Sequence, residues 1–196
     1  MTKSLDVYFD VGSPASYLAW TQLPGLAART GAEIRWKPML LGGVFKATGN
    51  SSPAAIPAKS RYSRMDMARF ARRYGVPLNF NPHFPVNTLY LMRGAIAYLD
   101  TEEFTSYLTA IFQAMWVDER NLGDSAVLAD VLGRAGFDPH QVLARCEDPA
   151  VKHRLKEITE EAVERGVFGA PTFFVGSEMY FGQDRLDQVE RQLLAG

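Results

Sequence analysis

The stretch from Phe9 to Trp20 constrains the fold most, because it joins a strand pattern to a helix pattern through a short junction. Apolar residues alternate with polar or mixed ones up to Phe9, which is the period of a β-strand. Gly12 then provides a turn, Ser13 has the residue type of a helix N-cap, and Pro14 suits the first helical position. A strand–turn–helix unit is therefore predicted, with the helix beginning after Ser13.

The Ser13 hydroxyl is predicted to lie at a helix N-terminus, among unpaired backbone N–H groups and the positive end of the helix dipole. Such a position stabilises an anion. A serine there also serves simply as a cap. The local pattern leaves both interpretations open, and the rest of the chain must decide between them.

The first part of the chain predicts a small α/β sheet. Residues 4–10 form a strand, 14–30 a helix and 32–39 a second strand. Two strands joined by one helix within about 40 residues form a βαβ unit, which is usually parallel. Residues 40–53 are rich in Gly, Ser and Asn and are interpreted as a ligand-binding loop that follows a strand end.

The middle of the chain, from about 57 to 166, is helical in pattern, and the end returns to strands. Residues 168–175 and 178–181 are predicted to form a hairpin through a Gly-Ser turn, with Asp184 as a possible N-cap of a closing helix. The middle helices are predicted over residues 58–74, 87–99, 102–116, 125–135, 139–147 and 148–165.

This order of elements, with an x-Pro-Thr motif opening the third strand, resembles the thioredoxin fold. The inserted helices resemble those of the DsbA-like branch and of kappa-class glutathione transferases. The predicted fold class is therefore α/β, thioredoxin-like, with a large helical insertion. Residues 1–56 and 167–196 would form the thioredoxin-like domain, and 57–166 the inserted helical domain.

The DsbA-like family begins its first helix with Cys-x-x-Cys, whereas this chain has Ser13 and Ser16 at those positions. A dithiol–disulfide cycle needs two sulfurs, so that chemistry is excluded at this site. The only cysteine, Cys146, is predicted to lie in a polar helical neighbourhood and to be inert. A helix N-terminus that lowers a cysteine's pKa would equally favour a thiolate brought from outside.

Four separated motifs are similar to those of the 2-hydroxychromene-2-carboxylate isomerases, relatives of the kappa-class glutathione transferases. The motifs are Ser13–Ala19, Gly49-Asn50, Phe168–Phe174 and Gly182–Arg185. The resemblance covers nearly the whole chain. It implies glutathione as the cofactor and a cis–trans isomerisation between 2-hydroxychromene-2-carboxylate and trans-o-hydroxybenzylidenepyruvate, through reversible addition of the glutathione thiolate.

The resemblance also assigns roles to residues at the glutathione site. Ser13 would be the catalytic residue, at the glutathione sulfur. Ala170 would bind the cysteinyl part through its backbone, ahead of Pro171, which is cis in this fold. Gln183 and Asp184 would bind the γ-glutamyl end, with Asp184 pairing its ammonium group.

On the substrate side, the resemblance points to Lys46 and Asn50, which would orient the carboxylate and stabilise developing oxyanion charge. Asn87 is a further substrate-binding candidate, and His83 beside it is treated as an ordinary loop histidine. A kappa-type transferase or peroxidase is the alternative enzyme. A non-catalytic thiol-binding module is the third hypothesis.

Composition narrows the range of partners. The net charge of −1 argues against nucleic acid, and the arginines between 61 and 73 are interpreted as a solvated helix face. The three histidines lie on separate segments, so no metal site is predicted. No apolar run approaches the ~20 residues that span a membrane, and none opens the chain as a signal peptide. A cytoplasmic enzyme for a small aromatic molecule is expected, and the resemblance implies a homodimer.

Overall fold

A four-stranded mixed sheet with strand order β2-β1-β3-β4 forms the centre of the protein, whose computed structural model describes residues 3–195. The strands are β1 (Ser4–Phe9), β2 (Glu33–Pro38), β3 (Thr172–Val175) and β4 (Glu178–Phe181). The first two strands pair in parallel, while β3 runs antiparallel to both β1 and β4. The predicted βαβ unit and the terminal hairpin are therefore confirmed.

Helices account for most of the remaining chain, and most begin and end within two residues of the predicted positions. They are α1 (Pro14–Thr30), α2 (Leu41–Thr48), α3 (Pro57–Tyr74), α4 (Leu89–Tyr98), α5 (Phe104–Trp116), α6 (Ser125–Arg134), α7 (Pro139–Glu147), α8 (Pro149–Glu164) and α9 (Leu186–Ala195). Short 3₁₀ turns occupy residues 53–55 and 183–185.

Helix α2 corrects the prediction of a loop over residues 40–53. Leu41, Val44 and Phe45 have the i, i+3, i+4 spacing of a helix face, and Val44 is fully buried. Gly42 and Gly43, between Leu41 and Val44, lower the helix propensity of this segment, but packing against α8 outweighs that cost. A Cβ on Gly43 would lie 3.2 Å from a methyl of Thr159, so a small residue allows the close approach.

The sheet is covered by helices on both faces. Leu5 and Val7 of β1 pack on one face with residues of α1 and α9, such as Leu23 and Val189. On the other face, Tyr8 belongs to a larger cluster that continues into α4, α5 and α8. The sheet and the inserted helices therefore share one hydrophobic core, and the proposed division into two domains stays a prediction.

A polar network also joins α8 to the sheet. The Tyr8 hydroxyl donates to Glu161 (2.6 Å), and the Arg165 guanidinium lies 2.8 Å from Asp6. Lys37 of β2 lies 3.2 Å from the same glutamate. Burial and the neighbouring carboxylate raise the pKa of Tyr8 well above its ordinary value, so it remains a hydrogen-bond donor.

Candidate functional site

Ser13 forms the N-cap of α1, as the sequence predicts. Its Oγ accepts a hydrogen bond from the backbone N–H of Ser16 (3.2 Å), and its own backbone is extended. Pro14 occupies the first helical position. The side chain is 6% exposed, which places a nearly buried hydroxyl among the free N–H groups at the positive end of a 17-residue helix.

The hydroxyl of Ser13 also contacts the segment that precedes β3. Its Oγ donates to the carbonyl oxygen of Ala170 (2.9 Å), 157 positions later in the chain. The Ala170–Pro171 peptide bond is cis, as the resemblance implies. The start of α1 and the segment before β3 therefore meet at one point.

Asp10 is a buried residue that stabilises the turn before Ser13 through hydrogen bonds. Its side chain accepts hydrogen bonds from Gly12 N (2.9 Å), Leu41 N (2.8 Å) and Thr88 Oγ1 (3.0 Å), and it is 1% exposed. Burial raises the pKa of this carboxyl, although the three donors act in the opposite direction. Asp10 was not predicted as a site residue; the available signal was a charged residue at the end of an apolar strand.

Two of the inserted helices, α4 and α5, also contact the turn that precedes Ser13. The indole N–H of Trp116 in α5 donates to the carbonyl of Val11 (2.8 Å), and the N–H of Val11 points to the sulfur of Met92 in α4 (3.4 Å). Trp116 is fully buried. The position of Ser13 thus depends on contacts made by the insertion as well as by the sheet.

A cleft of about 480 Å³ opens at this point. Its walls come from the start of α1, the segment after α2, one face of α3 and the segments on either side of the β3–β4 hairpin. Such a volume falls within the ~300–1,000 Å³ of typical small-molecule sites. The predicted site residues that line it are Ser13, Asn50, Ala170, Gln183 and Asp184.

Three predicted site residues do not line the cleft. Pro171 is buried directly behind Ala170, and Lys46 is exposed in the last turn of α2. The side-chain oxygen of Asn87 accepts a hydrogen bond from Leu89 N (3.0 Å) just before α4. Substrate contacts by Lys46 and Asn87 stay predictions that this geometry does not support.

Gln183 and Asp184 lie in a 3₁₀ turn that precedes α9, so the prediction that Asp184 is an N-cap is wrong. The carboxylate of Asp184 pairs with Arg185 (2.9 Å) and still borders the cleft. The carbonyl of Gln183 accepts a hydrogen bond from the hydroxyl of Tyr74 (3.0 Å) at the end of α3. A tertiary contact, rather than a cap, fixes this turn.

Two cationic side chains of α3 line the cleft and were not predicted to do so. Lys59 and Arg64 lie on one face of the helix together with Ser60, Ser63 and Met67. The arginines of this helix were interpreted as a solvated face; Arg64 is exposed, as expected, and it also lines the cleft, which was not predicted. Non-local packing decides which arginine meets the cleft, and local charge patterning gives no signal for it.

Cys146 lies apart from the cleft and is 1% exposed, so the prediction of a polar neighbourhood is wrong. Its thiol points to the carbonyl of Tyr90 (3.4 Å). Burial raises the pKa of this thiol to about 11, which leaves little thiolate at neutral pH.

Within residues 3–195, no three His, Cys, Asp or Glu side chains come together as metal ligands. None of the helices that the structure describes is long and apolar enough to cross a membrane.

The fold and the site define a thioredoxin-fold protein whose first helix carries serine where a redox relative carries cysteine. Residues 4–194 match the model of the DSBA-like thioredoxin domain family, to which the chain therefore belongs. The chain is 33% identical to 2-hydroxychromene-2-carboxylate isomerase of Sphingobium xenophagum over 199 residues, which covers 99% of this chain and 100% of that protein.

Two further comparisons point to the same branch. A solved structure of 2-hydroxychromene-2-carboxylate isomerase has a TM-score of 0.84 to this chain and 34% identity, and covers 96% of this chain and 93% of that one. Glutathione S-transferase kappa 1 of Caenorhabditis elegans is 31% identical, over 92% of this chain and 86% of that protein.

Proposed function

We propose that this protein is a glutathione-dependent isomerase that interconverts 2-hydroxychromene-2-carboxylate and trans-o-hydroxybenzylidenepyruvate. One observation carries the proposal: a nearly buried hydroxyl, Ser13, lies at the N-terminus of α1 and borders the cleft. The names of relatives at 33% and 34% identity supply the reaction and its substrate.

The residues that border the cleft fit glutathione by their chemistry. Ser13 and the N-terminus of α1 would bind the sulfur as a thiolate. The carboxylate of Asp184 would pair with the γ-glutamyl ammonium group, and Lys59 would meet a carboxylate of the tripeptide. The backbone at Ala170, beside Ser13, would align the cysteinyl part.

Glutathione supplies, when bound, a thiol nucleophile whose reversible addition permits rotation about the double bond of the substrate. The chain itself contributes three things. Ser13 donates a hydrogen bond to the sulfur instead of to Ala170 O, the helix dipole favours the anion, and the buried turn from Asp10 holds both in place.

An absorbance assay with 2-hydroxychromene-2-carboxylate tests the proposal. The wild-type protein should convert the substrate only when glutathione is present, and Ser13→Ala should lower kcat/KM by about 10²–10³-fold, as loss of one donor to a developing anion does elsewhere. Ser16→Ala is the matched control, because the Ser16 hydroxyl is buried without a hydrogen-bond partner among the described residues and does not line the cleft. Its activity should stay within about twofold of wild type.

The possible outcomes separate the hypotheses. No conversion by the wild type, with glutathione still bound in calorimetry, would leave the kappa-type transferase or peroxidase as the better description. Absence of glutathione binding would contradict the cofactor. Equal loss in both serine variants would show that the effect is structural.

A further inference from the structure

Among the residues that line the cleft, Arg64 combines a charge, a fixed position and a neighbour that the glutathione site does not explain. Its guanidinium lies over the ring of Phe80, 5.2 Å from the ring centroid. That geometry is a cation–π contact and keeps the long side chain at the wall of the cleft. Arg64 is thus held above an aromatic surface while the residue remains exposed.

The aromatic surface beneath Arg64 continues inward. The ring of Phe80 meets the indole of Trp116 edge-on (6.5 Å between centroids), and Phe84 lies 5.9 Å from the same indole. Phe80 and Phe84 are partly exposed at the cleft, and the fully buried indole of Trp116 packs behind them. Because the Trp116 N–H also holds the carbonyl of Val11, this aromatic wall is attached to the turn that carries Ser13.

The charge of Arg64 is not neutralised within the protein. In the part of the chain that the structure describes, it forms no ion pair, whereas Arg69 on the same helix pairs with Asp66 (3.4 Å). Lys59 is the other cation at the cleft. A guanidinium that lacks an internal partner is suited to bidentate recognition of a carboxylate.

We propose that Arg64, Phe80 and Phe84 form a subsite for an aryl carboxylate, in which the two phenyl rings, supported from behind by Trp116, bind the aryl group and the guanidinium binds its carboxylate. This inference rests on the proposed function for the identity of the substrate, because 2-hydroxychromene-2-carboxylate belongs to this chemical class. Arg64 then orients the carboxylate, a role that the resemblance gave to Asn50, which lines the cleft, and to Lys46, which does not.

The carboxylates of glutathione have the same chemistry, so the experiment must distinguish the two sources. Calorimetry would measure the binding of glutathione, trans-2-hydroxycinnamate and its primary amide to wild type and to Arg64→Gln. The substitution should weaken binding of the cinnamate by about tenfold to a hundredfold, since a charge-assisted hydrogen bond is lost. Affinities for the amide and for glutathione should change by less than about twofold.

Two variants serve as controls. Arg61→Gln removes a guanidinium from the same helix without touching the cleft and should leave all three affinities unchanged. Arg64→Lys keeps the charge without the planar fork and should recover part of the cinnamate affinity. Thermal unfolding of each variant should match wild type, because both arginines are exposed.

Three results would overturn the subsite: equal binding of cinnamate by wild type and Arg64→Gln, weaker binding of glutathione by that variant, or no binding of cinnamate by the wild type. Each of these results is independent of turnover. Failure of the isomerase assay alongside Arg64-dependent binding of cinnamate would contradict the proposed reaction and leave the subsite standing. In a working isomerase, Arg64→Gln should raise KM more than it lowers kcat.

Discussion

At the scale of single residues, positions 13 and 146 lie in surroundings that affect an anion in opposite ways. Ser13 caps a long helix and faces a cleft, whereas Cys146 is buried beside a backbone carbonyl. The helix N-terminus stabilises an anion, and burial opposes one. The side chain at position 13 alone therefore decides whether the protein presents a reactive thiol.

Ser13→Cys should create a thiol of lowered pKa, because the N–H groups and dipole of α1 favour the thiolate. We expect one equivalent to react rapidly with a chromogenic disulfide at pH 7, while the wild type reacts only after denaturation. Burial raises the pKa of Cys146 to about 11, so Cys146 should not react with the disulfide in either native protein. A native variant that reacts no faster than a free thiol would contradict the anion-stabilising role of this helix end.

At the scale of elements, close packing between α4 and α5 supports the turn before Ser13. Gly94 of α4 faces the ring of Tyr107 in α5, and a Cβ at position 94 would overlap that ring. Tyr107 is buried and donates its hydroxyl to Leu91 O (2.9 Å), so it has no open space to move into. The two helices approach closely only because position 94 has no side chain.

Gly94→Ala should therefore destabilise the fold by about 1–3 kcal/mol, the usual cost of overpacking a core. Gly133→Ala in α6 is the matched control, since a Cβ there meets nothing within 4 Å. It should stabilise the protein by up to ~1 kcal/mol, because alanine favours the helix. Urea unfolding of the three proteins measures both effects. Equal stability of wild type and Gly94→Ala would show that α5 shifts to accommodate the extra methyl group.

At the scale of the whole molecule, one carboxylate connects three distant segments. Asp10 bonds the turn before α1, the first residue of α2 and Thr88 ahead of α4. Hydrogen bonds to the buried Asp10 carboxylate thus connect the segments around the sheet with the inserted helices. The free energy of unfolding should therefore depend on whether Asp10 is protonated.

Burial raises the pKa of Asp10 in the folded state. The native protein then keeps this proton to higher pH than the unfolded chain, so the contribution of Asp10 is complete below the ordinary aspartate pKa of about 4 and declines as pH rises above it. The free energy of unfolding of wild type minus that of Asp10→Asn should therefore decrease from pH 4 to pH 8. Urea unfolding across this range measures it, with Asp187→Asn on the exposed face of α9 as control. A difference that grows with pH would mean that the three donors outweigh burial.

Local signals explain what could be predicted from sequence. Gly12, Ser13 and Pro14 specify the end of a strand and the start of a helix through backbone preferences that need no distant partner. The hairpin at residues 172–181 is equally local. Similar motifs then placed Ser13, Ala170 and Asp184 at one cleft, and the structure brings them to it.

Non-local packing explains what could not be predicted. Helix α2 exists because its apolar face is buried, in spite of its glycines, and it directs Lys46 away from the cleft. The assignment of Arg64 to the cleft depends on the position of Phe80, which a helical charge pattern does not contain. The burial of Asp10 likewise depends on residues 31 and 78 positions away.

The separation of 157 positions between Ser13 and Ala170 also has a consequence during synthesis. Strand β1 pairs with β3 in the finished sheet, but β3 begins only at Thr172. A chain growing on the ribosome therefore has one edge of its central strand unpaired while the whole insertion is made. The contact between Ser13 and Ala170 can form only after the segment that leads into β3 has left the exit tunnel.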